Sequence, residues 1–103
     1  MGRVVEVQGY VTQHRLTSQD ITIYGAQWCA DCKRSKEYLN SIGASYTYID
    51  IQDTPDAAAA MQHINGGRNR IPTIQLANGV VLVEPSDKEL QMAIQAAGIG
   101  PAA

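Results

Sequence analysis

The sequence predicts an α/β domain of order β-α-β-α-β-β-α, a mixed four-stranded sheet with helices on both faces. Three observations carry this expectation. Short apolar runs alternate with segments of helical period from Ile21 to about Gly98. An Asn78-Gly79 pair sits between the last two apolar runs, a strong hairpin signal. The chain of 103 residues is long enough for one hydrophobic core and too short for two.

The elements follow in order. Ile21-Thr22-Ile23-Tyr24 reads as a buried strand closed by Gly25. Cys32, Ser35, Leu39 and Ile42 recur at helical spacing, with Lys33, Arg34, Lys36 and Glu37 between them, so an amphipathic helix is expected up to Gly43. Tyr46 to Ile51 reads as the second strand. Thr54 is placed to cap a second helix with Pro55 in its first turn, and that helix runs through Ala57 to Ile64 and ends at Asn65-Gly66-Gly67. Thr73 to Leu76 and Val80 to Val83 form the hairpin. Ser86, with Glu89 three residues on, makes a capping box for a last helix that buries Leu90 and Ile94. The first two strands, joined through a helix, imply a right-handed parallel crossover. The expected organisation is therefore an N-terminal extension over 1–20, a domain over 21–98 and a small tail over 99–103. In the extension, Val4, Val5, Val7 and Val11 alternate imperfectly, which fits an added edge strand as well as a loose arm.

Composition narrows the function. The net charge of −2 and the absence of basic runs argue against nucleic acid and against an anionic membrane surface. No apolar run is long enough to span a bilayer, and Glu6, Gln8 and Gly9 interrupt any signal-peptide core. A cytoplasmic, monomeric protein is expected. There are two cysteines, both in one motif, which in a reducing compartment reads as redox or metal chemistry rather than a structural staple.

The motif is Trp28-Cys29-Ala30-Asp31-Cys32, at the hand-over from the first strand to the first helix. Two intervening residues at a helix start put both sulfurs on one turn. Cys29 meets the free N–H groups and the dipole of the helix N-terminus, a setting that lowers a cysteine pKa from about 8.5 to roughly 3.5–7.5. Cys32 points toward the core and remains a thiol. Cys29 is the expected nucleophile and Cys32 the resolving partner that closes a disulfide. Zinc would require two further ligands; no second cysteine pair exists, and His14 and His63 follow no ligand spacing, so no metal is expected. Asp31 beside Cys29 opposes the helix effect, Lys33 and Arg34 offset it, and an acid in a first helical turn is favoured in any case.

From Ile21 to about Gly98 the chain resembles the glutaredoxin branch of the thioredoxin superfamily. The resemblance rests on Tyr24 five residues before Cys29, the Trp-Cys-x-x-Cys motif, Ile71-Pro72-Thr73, and Pro85-Ser86-Asp87 before the last helix. The spacing of Asn65-Gly66-Gly67 to Ile71-Pro72-Thr73 is similar to that of the mycoredoxin group. The resemblance implies a thioredoxin-like (glutaredoxin) fold, a cis bond between Ile71 and Pro72, and a thiol-binding surface formed by Trp28, Asp31, Ile71, Pro72, Ser86 and Asp87. It implies an enzyme with no bound cofactor that uses a low-molecular-weight thiol as co-substrate. Glutathione-using members carry a lysine where this chain has Ala26 and a Gly-Gly pair where it has Val83-Glu84-Pro85, so mycothiol is the expected thiol, with bacillithiol as an analogue.

Expected partners are protein disulfides or thiolated proteins and a reductase, either mycothiol disulfide reductase or thioredoxin reductase. Two alternatives stand beside this reading. One is a dithiol electron carrier serving ribonucleotide reductase; the other is an iron–sulfur-binding dimer. Arg68 and Arg70 are placed either to meet a substrate carboxylate or to lie in solvent.

Overall fold

A computed structural model describes residues 20–53 and 55–99. The expectations for the N-terminal extension, for Thr54 as a cap and for most of the tail therefore lie outside the described residues, save Asp20 and Ile99.

Among the described residues, four strands and three helices follow one another in the expected order. They are β1 (Ile21–Gly25), α1 (Ala30–Ser41), β2 (Thr47–Asp50), α2 (Pro55–Ile64), β3 (Thr73–Leu76), β4 (Val81–Val83) and α3 (Asp87–Ala96). The strand order is β2-β1-β3-β4, with β1 and β2 parallel and the other two pairs antiparallel. Two strands are shorter than the apolar runs suggested: β2 lacks Tyr46 and Ile51, and β4 lacks Val80. Ile51 still donates its N–H to the Gly25 carbonyl at 2.9 Å, and Val80 is drawn into the Asn78-Gly79 turn, its N–H donating to Asn78 Oδ1 at 3.1 Å.

Alternation along the strands places the core. Ile21 and Ile23 pair in register with Leu76 and Ile74, so all four side chains share one face of the sheet. Leu39 of α1 and Leu90 and Ile94 of α3 close over that face, and all seven residues are essentially excluded from solvent. Thr73 alternates to the opposite face. There its hydroxyl accepts from Asn65 Nδ2 at 3.1 Å, which sets the C-terminal end of α2 against that side. The helix starts follow the sequence: Ser86 Oγ accepts from Glu89 N–H at 3.1 Å and Glu89 Oε1 from Ser86 N–H at 2.8 Å, a complete capping box.

Candidate active site

The inward-facing positions of β1 run Ile21, Ile23, Gly25, so the strand loses its side chain where α1 begins. A Cβ on Gly25 would come within 2.5 Å of the Tyr48 hydroxyl and 2.8 Å of Cys32 Sγ. The glycine is thus the space into which α1 delivers its second cysteine. The chain then turns, Cys29 N–H donating to the Ala26 carbonyl at 3.2 Å, and enters the helix.

Cys29 is the N-cap of α1. Its backbone is extended, and its Sγ accepts the Cys32 N–H at 3.1 Å. Ordinary caps are oxygen side chains; here sulfur takes that place at the positive end of a helix dipole. Cys29 and Cys32 are joined as a disulfide, with Cα atoms 5.2 Å apart. The two sulfur-bearing residues are not equivalent. Cys29 retains 8 % exposure, whereas Cys32 has none. Ala26, Cys29 and Cys32 form a small apolar cluster of their own, with Tyr48 and Ile71 packed against it.

Around this cluster the loops are tied by polar links. Arg34 on α1 donates to the Pro85 carbonyl at 3.3 Å and to Asp31 at 3.4 Å, and its guanidinium lies 3.8 Å from Asp87. Arg70 pairs with Glu84 at 3.4 Å, and Glu84 N–H donates to the Pro72 carbonyl at 2.8 Å. Glu84 has a positive φ of 53°, a conformation that costs a residue with a side chain and that glycine adopts freely. Beneath the loop, Asn65 is buried; its Oδ1 accepts from Arg68 N–H at 2.8 Å, and Thr73 Oγ1 donates to the Arg70 carbonyl at 2.9 Å.

The residues expected at the site fall into three groups. Ile71 sits against the cysteines, followed by a buried Pro72, and the bond between them is cis. Asp31, Ser86 and Asp87 lie on the side spanned by Arg34. The Ser86 hydroxyl is engaged in capping α3, and Asp87 is the first residue of that helix rather than a cap. Trp28 is on the other side, 68 % exposed, with its indole N–H donating to Gln52 Oε1 at 3.0 Å. Arg70 is held by Glu84, and Arg68 is exposed.

Tyr48, Gly25, Asn65 and Glu84 were not singled out from the sequence as parts of the site. The available signal was a glycine at an inward strand position just before the cysteine motif. Among the described residues, no group of three or more His, Cys, Asp or Glu side chains is arranged to hold a metal.

A cysteine pair on the first turn of a helix, one residue capping that helix and slightly exposed and the other fully sealed, on this sheet order, defines a thiol–disulfide oxidoreductase of the thioredoxin-like fold. Comparison with known proteins gives the family. The glutaredoxin family model matches residues 21–81, and the chain belongs to the glutaredoxin family. A glutaredoxin of Mycobacterium tuberculosis is 35% identical over 71 residues, covering 69% of this chain and 84% of that protein. Mycoredoxin 1 of Corynebacterium glutamicum is 27% identical over 77 residues, covering 75% of this chain and 95% of that protein. Among solved structures, a glutaredoxin from Archaeoglobus fulgidus superposes with a TM-score of 0.68 at 20% identity, over 75% of this chain and 87% of that one. The glutaredoxin from Methanosarcina mazei gives 0.66 at 18% identity, over 80% of this chain and 84% of that one. The expected fold and family resemblance, including the likeness to mycoredoxin, are borne out.

Proposed function

We propose that this glutaredoxin-family enzyme reduces mixed disulfides between proteins and a mycothiol-type thiol, with Cys29 as the attacking sulfur. The observation that carries the assignment is the asymmetry of the pair: Cys29, whose Sγ caps α1, keeps 8 % exposure, while Cys32 has none. The Cys29 thiolate attacks the small-thiol sulfur of the mixed disulfide. The protein thiol leaves and takes up a proton, and Cys29 is left bonded to the small thiol. A second small thiol attacks that bond, giving the small-thiol disulfide and free Cys29. A reductase recycles the small-thiol disulfide.

Mycothiol is favoured by the likeness to mycoredoxin 1 and by local charge. Two of the cations flanking the site, Arg34 and Arg70, already face Asp31, Asp87 and Glu84. A tripeptide thiol with two carboxylates would compete with these groups, whereas a sugar-based thiol brings mainly hydroxyls. Trp28, Asp31, Ile71, Pro72, Ser86 and Asp87 border the thiol in this reading, and the enzyme acts as a cytoplasmic monomer.

A second reading is supported by the disulfide itself. Cys32 can displace the bound thiol from Cys29, so that the chain carries two electrons as a dithiol and is recharged by thioredoxin reductase. The Cys32→Ser variant decides between the two. With mycothiol and mycothiol disulfide reductase, retention of most of the activity supports the first reading. A variant that is inactive, together with wild type that turns over only with thioredoxin reductase, replaces it with the second.

A further inference from the structure

In the reading in which Cys32 resolves the bond on Cys29, it opens and closes a disulfide from a position with no exposure to solvent. When the disulfide opens, its sulfur has to hold either a proton or a charge, and a buried thiolate without a hydrogen-bond donor is costly. The helix N-terminus does not serve it directly, because the Cys32 N–H is directed at Cys29 Sγ. Among the described residues no hydrogen bond reaches Cys32 Sγ.

Two hydroxyls lie on its side of the molecule: the buried one of Ser35, three residues on along the buried face of α1 and without a partner among the described residues, and that of Tyr48 at the strand. The Tyr48 hydroxyl and Cys32 Sγ both crowd the space left open by Gly25, within 2.5 Å and 2.8 Å of the point where a Cβ would sit. The hydroxyl donates to the Ala26 carbonyl at 3.1 Å, and that carbonyl also accepts from Cys29 N–H at 3.2 Å. The phenol can therefore turn away without leaving the Ala26 oxygen unpaired. The groups around it keep it a donor. Burial, then Asp50, then Tyr46, hold the phenol above its ordinary pKa, so it retains its proton at neutral pH. On the α1 side the ammonium of Lys36 lies over the ring, 4.2 Å from its centroid; β1 contributes Ile23, its register partner, and Gly25, and the Ala26 carbonyl follows the strand.

We propose that the Tyr48 hydroxyl is the donor for the Cys32 sulfur: when the disulfide opens, it turns from the Ala26 carbonyl to Cys32 Sγ and holds the thiolate that closes the bond again. The proposal rests on the reading in which Cys32 resolves the mixed disulfide on Cys29. In that step the Cys32 thiol releases its proton to water, Tyr48 holds the resulting thiolate, and the thiolate attacks Cys29 Sγ. The bond from Cys29 to the bound thiol breaks, and the departing thiolate takes up a proton. Tyr48 keeps its own proton throughout and supplies only the hydrogen bond.

The test is Tyr48→Phe, which keeps the ring and the Lys36 contact and removes only the hydroxyl. Closure is followed by rapid mixing of reduced enzyme with a small-molecule disulfide across a range of pH. A hydrogen bond to a charged sulfur predicts closure about tenfold slower at neutral pH and a Cys32 pKa raised by about one unit. In the Cys32→Ser background, where no closure can follow, attack of Cys29 on the small-molecule disulfide should be equally fast with and without the Tyr48 hydroxyl. An unchanged closure rate and Cys32 pKa overturn the proposal. If Cys32→Ser fails to trap a mixed disulfide on Cys29, the role assigned to Cys32 falls, and this proposal with it. A second measurement needs no variant: the oxidised-minus-reduced infrared spectrum of wild type should show a change in a tyrosine hydroxyl mode, and a spectrum without one overturns the switch.

Discussion

The two ends of the central strand β1 are built on different principles. At the Ile21 end, aliphatic side chains from two strands and two helices interlock, and each is held by several others. At the Gly25 end, the strand presents no side chain, and the cluster there contains two cysteines and an alanine. What holds that end is a set of single polar links: Tyr48 to Ala26, Arg34 to Pro85, Arg70 to Glu84, and Asn65 to Thr73. Aliphatic packing is dense and resists displacement. A hydrogen bond can be exchanged for another at little net cost. A site that must make and break a covalent bond with each turnover is placed where the second kind of support prevails.

Three substitutions sharpen this contrast, in order of expected effect on stability. Leu39→Ala, at the aliphatic end, leaves a cavity among packed neighbours and should cost about 2–5 kcal/mol by denaturant unfolding, with activity per folded molecule retained. Gly25→Ala puts a methyl group against Cys32 Sγ and the Tyr48 hydroxyl and should cost about 1–3 kcal/mol. Unlike Leu39→Ala, it should also impair disulfide closure in the molecules that do fold. Equal loss of activity per folded molecule in the two variants would break the distinction between the ends. Ser86→Ala removes one half of the capping box of α3 and should cost about 1 kcal/mol in thermal or chemical unfolding.

Local features were legible in the sequence because their physics is local. The Cys29 and Cys32 spacing, the Ser86 and Glu89 capping box and the Asn78-Gly79 turn each involve residues within a few positions of one another, and the structure shows all three. Tyr48 was hidden because its approach to the cysteines depends on strand register. Tyr48 lies beside Ile23 only because Thr22 pairs with Thr47. Gly25 was read as the end of a strand, and its consequence appears only when its missing Cβ is set against the helix that follows. Asn65 was read as a helix stop, which it is; its buried side chain also spans to Thr73, eight residues on. Polar residues with two such roles look from sequence like the simpler one.

Because the residue that caps α1 is a cysteine, folding and oxidation share one free-energy cycle. A thiolate is a stronger hydrogen-bond acceptor than a disulfide sulfur, so with Cys29 as the proposed attacking thiolate the reduced chain caps this helix better than the oxidised one. In the unfolded chain there is no helix to cap and the advantage disappears. By linkage the cap is then a term that favours release of the disulfide in the folded protein over its own unfolded chain, by the difference in cap strength. A residue choice that looks like a local detail of helix initiation thereby sets part of the driving force for electron transfer.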